Sequence, residues 1–144
     1  AVLAACQMES ARLPSEPGGG LTAQAFSSER TPWSAPVRLE APVNSPTAND
    51  QGPALSADGL TLYFCSNRPG SAGNDLWASR RASENDPWGN PVSLGPVVNS
   101  SGGDCGPSLS QDGLLLFFTS TRAGGAGEND IYMTSRTDAT DDLS

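Results

Sequence analysis

The chain has 144 residues with 8 basic and 16 acidic side chains, for a net charge of −8, and every basic residue is arginine, with no lysine or histidine. That absence removes histidine bases and metal ligands, Schiff-base and P-loop lysines and Ser-Lys dyads, and leaves carboxylate chemistry. An acidic chain with dispersed arginines holds polyanions poorly, so no nucleic-acid partner is expected; 16 glycines, 12 prolines and no apolar run of about 18 residues predict a turn-rich domain without a membrane-spanning helix.

The chain opens on Ala1-Val2-Leu3-Ala4-Ala5-Cys6, an apolar run of small residues ending in cysteine, followed by a polar stretch at 7–20 rich in Pro, Gly, Ser and Glu. Leu3 to Cys6 resembles the lipobox that ends a bacterial lipoprotein signal peptide. The resemblance implies acylation of Cys6, which becomes the first mature residue, and attachment to a membrane through lipid chains alone, each buried methylene contributing about 0.8 kcal/mol. Gln7 after that cysteine is similar to an outer-membrane address in a Gram-negative envelope, which places the protein on the periplasmic side of the outer membrane. The bland reading of the same residues is an apolar start with a buried cysteine. On the lipobox reading, residues 7–32 form a flexible linker.

Self-comparison at a shift of 54 to 55 residues aligns two long stretches. Trp33-Ser-Ala-Pro-Val-Arg-Leu, Val43-Asn-Ser and the run from Gly52 to Arg68 match Trp88-Gly-Asn-Pro-Val-Ser-Leu, Val98-Asn-Ser and the run from Gly106 to Arg122. The match continues through Asn74-Asp-Leu-Trp and Arg81 against Asn129-Asp-Ile-Tyr and Arg136. A period of this length built from short strands signals stacked units or propeller blades. The two repeats span 33–87 and 88–144, and residues 21–28 align with 76–83, predicting one extra N-terminal strand from a preceding unit.

Each copy reads as four strands and no helix. Asp58-Gly59 and Asp112-Gly113 lie between apolar runs and are expected as two-residue type I′ hairpin turns. They join strands at 52–57 and 106–111 to strands at 60–66 and 114–120. Gly-rich loops at 69–73 and 123–127 lead to third strands at 75–81 and 130–136. Fourth strands are expected at 36–39 and 91–94, where Pro36 and Pro91 suit an outer edge. In the second strand Leu60, Leu62 and Phe64 alternate with Tyr63 and Cys65, and Leu114, Leu116 and Phe118 alternate with Leu115 and Phe117. Both faces are apolar, so the sheet needs a neighbour on each side.

These residues resemble the TolB-like, WD-repeat-like propeller repeat of bacterial envelope proteins: Gly-Pro-x-Leu-Ser-x-Asp-Gly-x-x-Leu-x-Phe-x-Ser-x-Arg, a Gly-rich loop, then Asp-Ile/Leu-aromatic. The resemblance covers residues 33–136 and implies an all-β partial β-propeller of two four-stranded antiparallel blades, belonging to a longer chain. It further implies a noncatalytic binding or scaffold module contacting a protein or cell-wall component, with no cofactor. The lipid anchor and the lack of a separate N-terminal α/β domain depart from TolB itself, so TolB's partners do not carry over. The alternative is a carboxylate-based glycosidase or lyase, which needs two carboxylates about 5 to 10 Å apart around a cleft.

Candidate sites follow. Arg68 with Asp75, and Arg122 with Asp130, bracket the Gly-rich loop in each copy and are expected as structural ion pairs. The rival is a calcium site using Asp75 or Glu128-Asn129-Asp130, although the spacing matches no EF-hand loop, so no metal is assigned. In a propeller, Cys65 and Cys105 both lie near the side where the second strand of one blade ends and the next blade begins. A disulfide between them is compatible with an oxidising periplasm; the bland reading is two separate small residues. Trp33 and Trp88 are expected in the core at blade edges. The polar, acidic face formed by 43–50, 98–104 and the Gly-rich loops is where a ligand or partner is expected.

Overall fold

The computed structural model describes residues 33–139. Cys6 and the expected strand at 21–28 lie outside these residues. Residues 37–139 form one compact unit, and residues 33–36 carry no regular structure. The unit is all-β apart from one helical turn. In the first sheet β1 (Asp50–Leu55), β2 (Thr61–Ser66), β3 (Asp75–Arg80) and β4 (Val92–Ser93) lie side by side in that order, all antiparallel. After the four-residue α1 (Gly95–Val98), β5 (Asp104–Leu109), β6 (Leu115–Ser120) and β7 (Asp130–Ser135) form the second sheet in the same manner.

The aligned stretches adopt the same local structure. Gly52 and Gly106 have φ near +60°, and both hairpins shift register there, between Gln51 and Ala54 and between Cys105 and Ser108. Such a bulge needs a residue at positive φ, and the proline that follows has no amide proton to leave unpaired. The hairpin turns fall where expected at Asp58-Gly59 and Asp112-Gly113, but they are not type I′. Only the glycines take positive φ. Asp58 accepts from the Ser56 hydroxyl and the Leu60 amide, Asp112 from the Ser110 hydroxyl and the Leu114 amide. These bonds hold each aspartate at negative φ, and the chain turns over four residues with Gly59 and Gly113 at the close.

Three further expectations are corrected. The strand at 91–94 is present as β4, yet it hydrogen-bonds to β3 and so completes the first sheet. The second sheet therefore has three strands among the described residues, not four. The aligned stretch at 36–39 forms no strand. Trp33 is fully exposed, whereas Trp88 packs beside Leu62, Phe64 and Trp77 under the Arg81 guanidinium. Trp88 rests on residues of the first sheet, and Trp33 has no described equivalent beneath it.

The core lies on both sides of β2, whose six residues are all buried. Leu62, Phe64, Trp77 and Val43 cluster on one side. On the other, Cys65 and Leu76 meet Phe118, with Leu94, Val98, Leu116 and Tyr132 around them. This second cluster joins the sheets, and a Cys65–Cys105 disulfide crosses it with Cα atoms 5.0 Å apart, inside the range such bonds require. Closest approach occurs at β1 and β5, where a Cβ on Gly52 would meet the Gly106 backbone at 3.4 Å, while one on Gly106 would meet nothing nearer than 3.7 Å. Both substitutions by alanine place a side chain at positive φ, costing about 1 kcal/mol. Gly52→Ala and Gly106→Ala should therefore each lower the urea midpoint, by a similar amount worth about 1 kcal/mol; a midpoint unchanged in either variant would contradict the positive φ at that bulge.

Candidate functional site

The loop ends of the sheets repeat one arrangement of charge. Asp50, Ser66 and Asp75 stand opposite one another across the first sheet, as do Asp104, Ser120 and Asp130 across the second. Two residues after each serine, an arginine turns back over the sheet. Arg68 Nε donates to Ser66 Oγ, and its terminal nitrogen donates to Asp50 Oδ1 at 2.7 Å and the Val43 carbonyl at 2.6 Å. Arg122 makes the same bonds to Ser120, Asp104 and Val98. Each guanidinium also lies over two rings, Phe64 and Trp77 or Phe118 and Tyr132, at 4.7 to 5.3 Å, a contact that favours a partly desolvated cation.

The expected pairs Arg68–Asp75 and Arg122–Asp130 are thus replaced by Arg68–Asp50 and Arg122–Asp104. The arginine side chain is drawn across the sheet toward the loop that precedes the first strand, where a carbonyl and a carboxylate converge. Asp75 and Asp130 instead accept from amides of their own Gly-rich loops, Ala72 and Gly127. The signal for the true partners was present: Asp50 and Asp104 recur at the repeat spacing, each opening its strand. Their second oxygens take the Ser45 amide, or the Ser100 amide and hydroxyl. Arginine and aspartate together tie the incoming loop to the sheet.

The copies differ at the third strand. Asn99 is buried and reads the β3 backbone, accepting from the Leu76 amide and donating to its carbonyl at 2.8 and 3.0 Å. The loop carrying Asn99 thereby lies over Asp75, which is buried while its counterpart Asp130 is half-buried. Asp75 Oδ1 has no hydrogen-bond partner within the protein. The residue borders a cleft of about 460 Å³ whose lining includes Gly70, Ala72, Ser93, Asn99 and Ser100. A carboxylate accepts from ammonium, hydroxyl or amide groups. Asp75 is the one carboxylate in that lining, and among the described residues no set of three or more metal-ligating side chains is gathered. The cleft can bind through a single strong acceptor framed by hydroxyls.

The Arg122–Asp104 pair has a pH signature. Burial raises the Asp104 carboxyl, but hydrogen bonds from Ser120, Ser100 and Arg122 outweigh it and leave the group below its ordinary value. A carboxyl depressed in the folded chain contributes stability above its unfolded value of about 3.9, and that contribution disappears as the pH falls through the folded value. The urea midpoint should hold level from neutral pH to about 5 and fall below about 4, with a shallower fall in Asp104→Asn. Asp104→Ala, which leaves Arg122 without its counter-charge, should cost about 3 kcal/mol at neutral pH. Identical pH profiles for the wild type and Asp104→Asn would contradict the assignment.

No protein-family model, curated protein or solved structure matches the chain.

Proposed function

We propose that the chain is a noncatalytic binding module of a bacterial envelope lipoprotein, built from propeller-type repeats and contacting a protein or cell-wall partner through the loop face around Asp75. The observation that carries this reading is Asp75, the one carboxylate lining a hydroxyl-framed cleft. A glycan or peptide of the cell wall offers the hydroxyl, amide and ammonium donors such a group accepts. A lone carboxylate serves recognition, whereas glycoside cleavage uses two around the scissile bond. The repeated carboxylates elsewhere are engaged: Asp50 and Asp104 by arginine, Asp58 and Asp112 by their own turns.

Asp75→Asn keeps the shape and removes the charge. Hydrogen bonds to charged groups contribute about 1.5 to 3 kcal/mol, so co-sedimentation with purified sacculi, or affinity for soluble muropeptides, should weaken at least about tenfold. Asp130→Asn, at the counterpart in the second sheet, should leave binding unchanged. Binding that survives Asp75→Asn would overturn the assignment of the cleft, and turnover of any glycan would overturn the noncatalytic reading.

The lipobox resemblance at Leu3 to Cys6 supports the anchor. Expressed from its natural reading frame in a Gram-negative host, the protein should incorporate labelled palmitate and sediment with outer membranes. Cys6→Ser should abolish both; label retained in that variant would remove the anchor and the location with it.

A further inference from the structure

The Cys65–Cys105 bridge belongs to the junction between the sheets and not to the repeat. Thr119 and Gln51 stand at the matching positions. In the second sheet the Thr119 hydroxyl donates to the Cys105 carbonyl within the hairpin, so a hairpin of this kind closes without a disulfide of its own. The bridge ties β2 to β5 over a sequence separation of 40 residues. It adds a covalent link where the sheets otherwise meet through packing and hydrogen bonds.

Both cysteines stand beside residues that place one wall of the Asp75 cleft. Cys65 pairs with Leu76 across β2 and β3, and Asn99 binds the Leu76 amide and carbonyl. Cys105 follows Asp104, whose amide donates to the Asn74 carbonyl at 2.5 Å and whose carboxylate takes the Ser100 amide and hydroxyl. Asn99 and Ser100 line the cleft opposite Asp75 and the Gly-rich loop of the first repeat. The two partners differ in access, since Cys65 is fully buried and Cys105 half-buried. Gly106 follows Cys105, and a Cβ on Gly52 would lie 3.7 Å from the Cys105 sulfur, so neither neighbour carries a side chain that would screen it.

We propose that this disulfide is a redox-controlled latch on the loop at 99–104, and that the cleft holds its binding form while the bridge is closed. A dithiol reductant opens it by exchange. One thiolate attacks the Cys105 sulfur, the bond to Cys65 breaks, and Cys65 leaves as a thiolate that takes up a proton. The second thiol of the reductant then attacks the mixed disulfide, releasing Cys105 as a thiol and the reductant as its own disulfide. Two electrons and two protons pass to the protein. With the link gone, the loop is held to the first sheet by hydrogen bonds alone, and local opening there requires no unfolding of either sheet. The effect on ligand binding rests on the Asp75 cleft being the binding site; the latch does not.

The test is amide hydrogen exchange, read by NMR on the full chain with and without dithiothreitol, with Cys6→Ser so that no third thiol takes part. The amides of Leu76, Ser100 and Asp104, which bond to Asn99, Asp104 and Asn74, should exchange at least about tenfold faster after reduction. Those of Arg81 and Arg136, each bonded within one sheet, should change less than about twofold. The double variant Cys65→Thr, Cys105→Gln takes the residues that the repeat itself carries at these positions and should show the faster rates with or without reductant. Affinity for soluble muropeptides should fall at least about tenfold on reduction of the bridged protein and be insensitive to dithiothreitol in the double variant. Equal rates at Leu76, Ser100 and Asp104 in both redox states, equal acceleration at Arg81 and Arg136, or muropeptide affinity unchanged by reduction would each overturn the proposal. A bridged protein that binds no muropeptide overturns the reading of the cleft, and the exchange rates then decide the latch.

Discussion

A strand that is apolar on both faces is stable only if both faces are covered. In β2 the run Leu62-Tyr63-Phe64-Cys65 alternates apolar residues onto each side, and full burial of one large aliphatic or aromatic side chain contributes about 1.5 to 3 kcal/mol. From this constraint follow the stacking of the second sheet on the first, the close approach of Gly52 to Gly106, the bridge between Cys65 and Cys105, and the packing of Trp88 and Val43 on the far side. It also accounts for the contrast with β6, whose outer residues lack a cover in the single chain.

Covering the sheets leaves their ends to polar groups, and there one device does most of the ordering. An arginine held between two aromatic rings, a serine, an aspartate and a backbone carbonyl fixes the loop entering each sheet. The cation is stripped of much of its water, and the carboxylate, the carbonyl and the ring faces replace it. With the entering loops fixed, Asn99 reaches the backbone of β3 and the loop it belongs to covers Asp75. The buried carboxylate at the cleft is thus a consequence of how the loop after β4 lies on the first sheet, and the second sheet lacks it among the described residues.

Local patterning made much of this legible. Local patterning and the internal match located all seven strands to within about two residues, and added one at 36–39 that does not form, because each signal depends on neighbours along the chain. The turn type was misread, since the Ser56 and Ser110 hydroxyls stabilise the aspartates in an ordinary backbone region that the Asp-Gly pair alone does not reveal. The arginine partners were misread for a similar reason. Arg68 and Asp75 are close in sequence, but the direction in which a long side chain leaves the strand end is set by the rings and carbonyl it meets.

Composition and periodicity, taken alone, dictated an all-β chain of two alike units with two greasy faces and no histidine or lysine chemistry, because these properties are written in residue identity and spacing. Three matters waited on the folded chain: that residues 92 and 93 complete the sheet of the preceding unit, that Asp50 and Asp104 hold the arginines, and that Asp75 is buried while Asp130 is not. Each depends on which surfaces meet across residues far apart in the chain, and packing between units, unlike alternation within a strand, leaves no periodic trace in the order of the amino acids.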